Sequence, residues 1–123
     1  MGKNFKETSK TGGLLWLFQR ISAVILFILL LVHFITYHFI SEGVITYSAI
    51  VDKMKTPWFN LVQFLFLITA LYHGINGIWM IVEDYTKSKF WRIVWYSILV
   101  VGGVSLLFVG MLTIFRVGSL IGG

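Results

Sequence analysis

The sequence contains no cysteine, and only five of its 123 residues are acidic. Without a thiolate the chain forms no disulfide, ligates no iron–sulphur cluster and offers no sulphur nucleophile. Asp, Glu, Lys and Arg together make up 12% of the residues, which is about half of the roughly 25% that is usual in soluble domains. This shortage of charge is concentrated in particular parts of the chain.

Three long stretches contain no Asp, Glu, Lys or Arg at all: residues 21–41, 58–82 and 93–115. A helix of roughly 20 mainly apolar residues crosses a hydrocarbon core about 30 Å thick, so each stretch is long enough to span a membrane once. A soluble domain is excluded, because the connections between the spans are too short to form one. The sequence predicts an all-α membrane protein with three transmembrane helices, whose chemistry takes place in or beside the lipid bilayer.

The net charge of +5 indicates membrane topology rather than binding to nucleic acid. Seven of the ten basic residues precede the first span or lie between the second and third spans: Lys3, Lys6, Lys10, Arg20, Lys87, Lys89 and Arg92. Loops rich in Lys and Arg stay in the cytoplasm. We therefore expect a cytoplasmic N-terminus, an external C-terminus and no nucleic-acid partner.

These patterns divide the chain into seven segments. They are a cytoplasmic arm (residues 1–14), transmembrane helix 1 (15–40), an outer loop (41–56), transmembrane helix 2 (57–85), a cytoplasmic turn (86–90), transmembrane helix 3 (91–117) and an outer tail (118–123). The single proline, Pro57, suits the first turn of helix 2, where a backbone N–H has no partner within the helix. In helix 3 the small residues Gly102, Gly103, Ser105 and Gly110 favour close approach of another helix or of a flat ligand.

His73 is the most informative residue, because an ionisable side chain near the middle of a span is costly and by default functional. It would suit a proton relay, a hydrogen bond to a neighbouring helix, or axial ligation of a haem iron. A relay would want other carboxylates or histidines on the same face, and helix 2 has none before Glu83. Gly77 shares the face of His73 and Gly74 flanks it, which leaves room for a porphyrin plane. Haem ligation is the favoured interpretation.

Helix 1 carries two further histidines, His33 and His38. Five residues correspond to a rotation of about 140° between them, so both cannot face one ligand. His33 is the better candidate for an iron ligand because apolar residues flank it, whereas His38 lies close to the outer interface. The depths of His33 and His73 are compatible with one haem or with two.

Arg20, Asp84 and Tyr85 are expected to meet at one depth, at the cytoplasmic edge of the membrane. There Tyr85 would donate a hydrogen bond to the carbonyl of a lipid-soluble quinone, with the two charged residues beside it. The alternative is ordinary anchoring, in which Arg20 extends to lipid phosphates and Tyr85 belongs to the aromatic belt.

Residues 73–85, HGINGIWMIVEDY, resemble the H-x-x-x-G-[IM]-W-x-x-x-x-D-Y pattern of the small membrane-anchor subunits of succinate dehydrogenase. They are most similar to the D-type anchor. Residues 20–23, RISA, are similar to the R-x-[ST]-[GA] opening of the first anchor helix. The resemblance extends to the chain length and to the three helices.

The resemblance implies a helix bundle formed with a second anchor subunit, which holds a flavoprotein and an iron–sulphur subunit against the membrane. The chain would be a cytochrome b subunit of succinate:quinone oxidoreductase (complex II) in a prokaryotic inner membrane, not catalytic alone. Electrons from succinate would pass through flavin and iron–sulphur clusters to quinone, linking the tricarboxylic acid cycle to electron transport. A haem-free structural anchor of a fumarate reductase-type complex is the alternative.

The resemblance also implies roles for individual residues. His73 would be an axial ligand of a haem b whose other ligand comes from the partner anchor. His33 would ligate the iron of a second haem, as in the two-haem members, and Gly77 would lie beside the cofactor. Tyr85, with Asp84 and Arg20 nearby, would bind the quinone.

Overall fold

The computed structural model describes residues 4–39 and 46–120, with side chains described for residues 12–39 and 46–116. These residues form four helices, α1 (Asn4–His38), α2 (Tyr47–Met54), α3 (Pro57–Tyr85) and α4 (Lys89–Leu120). Three segments are long and apolar enough to cross a membrane: Gly12–His38, Pro57–Tyr85 and Lys89–Arg116. The predicted all-α fold with three candidate spans is confirmed.

The helix bounds follow the predicted segments to different degrees. Helix α3 has the predicted bounds, with Pro57 in its first turn, and α4 begins two residues before the predicted position. Helix α1 begins at Asn4 and so runs through most of the predicted arm. Two adjacent glycines within it, Gly12 and Gly13, cost only about 1 kcal/mol each relative to alanine, which does not end a long helix. Residues 40–45 and 121–123, parts of helix 1, the outer loop and the tail as predicted, lie outside the described residues.

Helix α3 lies between the other two long helices. It packs along α1 on one side and along α4 on the other, whereas within the described residues no Cα atom of α1 lies within 8 Å of a Cα atom of α4. Both neighbours run antiparallel to α3, since positions later in α1 or α4 contact positions earlier in α3. We call the end at which α3 finishes and α4 begins the inner end, which is the predicted cytoplasmic side, and the opposite end the outer end.

The short helix α2 closes the outer end. Thr46 caps its first turn, with Oγ1 accepting a hydrogen bond from the Ala49 amide at 3.3 Å. One face buries Val51 and Met54 against α3 and α4. The ammonium of Lys53 donates to the Thr36 carbonyl of α1 at 2.9 Å. Helix α2 therefore ties the outer ends of all three long helices together.

Small residues allow α4 to approach α3 closely. The position that a Cβ on Gly103 would take is occupied by the Cδ1 of Ile75, and a Cβ on Gly110 would lie 2.6 Å from Cδ2 of Leu67. Gly102 faces open space instead, with nothing within 4 Å of a Cβ. Of the small residues noted in the sequence, Gly103 and Gly110 therefore serve helix packing.

Replacing Gly110 with alanine is expected to weaken the packing of α4 on α3, because its Cβ would lie within 2.9 Å of both terminal methyl carbons of Leu67. Overpacking of this kind costs about 1–3 kcal/mol. Gly102→Ala is the matched control, since it gains the same helix propensity without a clash. Thermal unfolding in detergent should give a lower midpoint for Gly110→Ala than for Gly102→Ala. Equal midpoints would contradict the assigned role of Gly110.

Candidate functional site

Four polar side chains meet between α1 and α3, and we call them the inner polar cluster: Gln19 and Ser22 of α1, and His73 and Asn76 of α3. The Oγ atom of Ser22 lies 3.2 Å from Nδ1 of His73. The Gln19 amide nitrogen donates to the His73 carbonyl at 3.1 Å, and the Asn76 amide donates to Gln19 Oε1 at 2.8 Å. His73 is therefore fixed by partners on the neighbouring helix.

The helical repeat explains why these four residues meet. Members on each helix are three residues apart and so lie on one face, one turn above the other. Ser22 is the one buried polar side chain in the described part of the chain, with 6% of its surface exposed. Hydrocarbon offers no hydrogen-bond partner, so polar groups inside a span pair with one another across the helix interface.

The two glycines near His73 have different surroundings. A Cβ on Gly77 would lie 2.9 Å from the Gln19 amide nitrogen, so the space beside Gly77 is filled by α1. A Cβ on Gly74 would meet nothing within 4 Å. The room that the sequence predicted for a flat ring is therefore on the Gly74 side of α3, while Gly77 accommodates the inner polar cluster.

The donor set beside His73 suits a haem better than a bare metal ion. No group of three or more His, Cys, Asp or Glu side chains capable of holding an ion occurs among the residues whose side chains are described. A haem needs only axial ligands from the protein, because the porphyrin supplies the other four. His73, with Nδ1 paired and an open backbone face beside it at Gly74, fits that requirement.

A second group, the outer polar cluster, consists of His33 and Tyr37 of α1 with Gln63 of α3. The Gln63 amide nitrogen lies 3.4 Å from His33 Nδ1 and donates to the Tyr37 hydroxyl at 3.3 Å. The His33 ring also stacks on Phe66, with 5.7 Å between the ring centroids. Gln63 lies ten residues before His73, so about 15 Å separates the two clusters along α3. The structure therefore does not bring His33 and His73 together.

His38 has a different environment from His33. It is exposed, and its ring contacts Phe34 of its own helix with 4.4 Å between the ring centroids. His33 instead faces α3 through its contacts with Gln63 and Phe66. The two histidines thus face different surroundings, as the angle of about 140° between them predicted.

The predicted quinone residues do not share one depth. Tyr85 and Asp84 are exposed at the inner end of α3, Tyr85 with 85% of its surface accessible. Gln19, the neighbour of Arg20, is level with Asn76, and Tyr85 lies nine residues farther along α3, which is about 13 Å. The expectation of a common depth is therefore wrong for the backbone of Arg20, because the contacts between α1 and α3 set a deeper position.

The side chain of Arg20 partly compensates for this depth. Its guanidinium carbon lies 4.8 Å from the centre of the Trp16 ring, in a cation–π contact. Trp16 is one helical turn nearer the inner end, so the charge extends along α1 toward that end. Among the described side chains, no ion pair links Arg20 to Asp84.

Arg92 is a residue of the inner end that the sequence reasoning missed. Its Nε donates to the Thr86 carbonyl at 2.7 Å, and its Nη2 donates to the Glu83 carbonyl at 3.1 Å. The last carbonyls of a helix have no partner within it, and a basic side chain often satisfies them. Arg92 thus fixes the end of α3 that carries Asp84 and Tyr85. The sequence feature that could have indicated this role is a basic residue in the first turn of α4, the helix that follows the short connection after α3.

Comparison with known proteins agrees with this architecture. The family model described as the succinate dehydrogenase/fumarate reductase transmembrane subunit matches residues 4–112. The chain belongs to this family. The match includes α1, α2, α3 and most of α4, and with them both polar clusters and the exposed end of α3.

Individual relatives in the succinate dehydrogenase family support the D-type resemblance. The chain is 28% identical over 71 residues to a succinate dehydrogenase hydrophobic membrane anchor subunit of Archaeoglobus fulgidus, which covers 58% of the chain and 61% of the relative. It is 34% identical over 83 residues to the hydrophobic membrane anchor subunit of Rickettsia bellii, covering 67% and 64%.

A third relative is the succinate dehydrogenase 2 membrane subunit SdhC of Mycobacterium tuberculosis, which is 31% identical over 70 residues, covering 57% of the chain and 52% of the relative. The chain thus spans between about half and two thirds of the length of these three relatives. Family membership and three apolar helices together show a multi-pass membrane protein.

The resemblance to the succinate dehydrogenase anchors rested on residues 73–85 and 20–23, and it assigned no role to Gln19, Ser22, Gln63 or Asn76. Gln19, Asn76 and Gln63 carried a signal of their own, since each is an amide within a predicted transmembrane helix. Ser22 was part of the quoted R-x-S-A segment but had no assigned role. A polar residue in a span predicts a partner on another helix, although not which one.

Replacing Arg92 with alanine is expected to loosen the inner end of α3, because the Glu83 and Thr86 carbonyls lose their charged donor. A hydrogen bond of about 1 kcal/mol corresponds to roughly fivefold faster opening. Hydrogen–deuterium exchange should therefore accelerate in peptides covering residues 83–88. Lys89→Ala, which removes an exposed positive charge from the same turn, is the control. Equal exchange in both variants would contradict the capping role.

Proposed function

We propose that the chain is a D-type anchor subunit of succinate dehydrogenase in a prokaryotic inner membrane, with His73 as an axial ligand of haem b. The observation that carries this proposal is the fixed His73 ring, with Nδ1 paired to Ser22 beside the open face of Gly74. The second axial ligand would come from a partner anchor. A flavoprotein and an iron–sulphur subunit would dock at the inner end.

In this proposal a bound haem supplies one-electron storage within the membrane. The contribution of the chain is to hold one imidazole at a fixed depth, twelve residues or about 18 Å along α3 from Tyr85. Gly77 contributes indirectly, because it admits the Gln19 side chain that contacts the His73 carbonyl. His33 is the proposed ligand of a second haem. Iron ligation by His33 would require the side-chain amide of Gln63 to turn over, so that its carbonyl oxygen rather than its nitrogen faces Nδ1 of His33.

We also propose that the exposed end of α3 contributes to a quinone site. Tyr85 would donate its phenolic proton to a quinone carbonyl at the membrane surface, and Asp84 would provide a neighbouring negative charge. The Arg20 guanidinium would approach from deeper in the membrane along the Trp16 ring. The exposure of Tyr85 supports this role, since a quinone entering from the lipid would reach the hydroxyl without displacing protein.

One observation favours the alternative of a haem-free anchor. The contacts of His73 with Ser22 and Gln19 join α1 to α3, and a packing histidine would make the same contacts. The two functions differ in their optical spectra, because only the haem protein has a reduced α-band.

Replacing His73 with leucine in the purified complex should abolish or loosen a haem, since leucine offers no axial ligand. Haem is measured as the dithionite-reduced b-type spectrum and as extracted haem per complex. His38→Leu is the control, because it removes an exposed histidine whose ring contacts Phe34 of its own helix. A wild-type complex without haem, or unchanged haem content in His73→Leu, would contradict the ligand assignment.

Replacing Tyr85 with phenylalanine should slow quinone reduction by about one order of magnitude, the equivalent of roughly 1.4 kcal/mol for a lost hydrogen bond. Electron transfer to artificial acceptors should remain intact, because those acceptors bypass the quinone. Tyr47→Phe is the matched control, since this tyrosine is similarly exposed, at 80%, but lies at the outer end. Equal loss of both activities would indicate defective assembly and would remove the assigned role.

A further inference from the structure

The hydroxyl of Ser22 makes two contacts but carries a single proton. Its Oγ lies 3.0 Å from the Gln19 carbonyl oxygen and 3.2 Å from Nδ1 of His73. A carbonyl oxygen only accepts hydrogen bonds, so the contact with Gln19 requires the Ser22 proton. A bond from a serine hydroxyl to a carbonyl one turn earlier is common in helices. Toward His73, Ser22 therefore presents an oxygen lone pair.

This arrangement determines the tautomer of His73. A lone pair on Ser22 can be paired only by a proton on Nδ1, 3.2 Å away, which indicates the Nδ1–H form of the ring with Ser22 Oγ as its acceptor. In the neutral ring the remaining nitrogen, Nε2, then carries the lone pair. Nε2 makes no hydrogen bond within the described part of the chain. It is thus the atom of His73 that is available to bind iron.

The rest of the inner polar cluster holds this geometry in place. The Gln19 amide nitrogen donates to the His73 carbonyl at 3.1 Å, and the reversed orientation would place two oxygens face to face, neither of which can donate. Gln19 Oε1 in turn accepts from the Asn76 amide at 2.8 Å. Both partners of His73 come from the same turn of α1. The ring and its backbone are therefore held together.

The outer polar cluster gives the opposite result. Gln63 approaches Nδ1 of His33 through its amide nitrogen, which only donates. Nδ1 of His33 is then an acceptor, and the ring proton lies on its other nitrogen. The contacts of His73 therefore already favour the tautomer that an axial ligand needs, whereas those of His33 would favour it only after the Gln63 amide had turned.

We infer that Ser22 is a positioning residue that holds His73 in its Nδ1–H form, with Nε2 directed to a haem iron. This inference rests on the proposed haem ligation. Partners that accept a hydrogen bond from the non-ligating nitrogen orient the ring and make it a stronger donor, and their loss typically weakens metal binding 10-fold to 100-fold. Ser22→Ala should therefore weaken haem binding without removing the ligand.

The test compares Ser22→Ala, Ser22→Thr and Ser22→Cys in the purified complex. Ser105→Ala is the matched control, because Ser105 makes the same kind of helix-internal bond, to the Val101 carbonyl at 2.7 Å, and is exposed. In Ser22→Ala, haem transfer to excess apomyoglobin should be about 10-fold faster, and the haem midpoint potential should rise because the imidazole becomes a weaker donor. Ser22→Thr should restore both values, and Ser105→Ala should resemble the wild type.

Ser22→Cys is the test variant to use if the complex with Ser22→Ala does not assemble. Cysteine is similar in size to serine, but its sulphur is a weaker hydrogen-bond acceptor. Haem transfer in this variant should then be faster and its haem midpoint potential higher than in the wild type, by less than the changes expected for Ser22→Ala. Wild-type values in every Ser22 variant that assembles would overturn the inference while leaving His73 as a ligand. A wild-type complex that contains no haem would instead overturn the proposed function on which the inference rests.

Discussion

The hydrocarbon core provides no water, and this constraint governs the polar contacts within the spans. Backbone groups satisfy it by forming helices, whereas polar side chains bond to the backbone of their own helix, as Ser105 does, or to a partner on another helix. Gln19 and Ser22 on α1 and His73 and Asn76 on α3 satisfy one another in this way. Because these contacts are directional, they also set the register of α1 on α3. A slip of one residue would turn Ser22 away from His73.

That register determines how the two proposed sites relate. Since Ser22 is level with His73, the inner third of α3 extends beyond the point at which Arg20 leaves α1. Asp84 and Tyr85 therefore lie at a different depth from Arg20, and only the long side chain of Arg20, lying on Trp16, reduces the separation. Arg92 then holds the end of α3 from the α4 side. The proposed quinone residues depend on both neighbours of α3, whereas His73 depends on α1 alone.

The sequence predicted the three spans well, because hydrophobic length is a local property and Pro57 marks the start of α3. It also singled out His73, whose cost in a membrane is independent of the fold. The common depth expected for Arg20 and Tyr85 was wrong, because depth along one helix says nothing about the offset of the next. The sequence also could not predict the hydrogen-bond partners of His73, because pairing Ser22 with His73 depends on the register and rotation of two helices. Length and composition do not contain that information.

Helix α3 lies between α1 and α4, and its two interfaces differ in character. Beyond the inner end, where Arg92 donates to α3, the interface with α4 includes glycines packed against apolar side chains such as Ile75 and Leu67, and it relies on close approach. The interface with α1 carries both polar clusters and relies on hydrogen bonds. Packing of the first kind tolerates small rotations, but hydrogen bonds of the second kind do not. A histidine that must present one nitrogen in a fixed direction is therefore better placed against α1 than against α4.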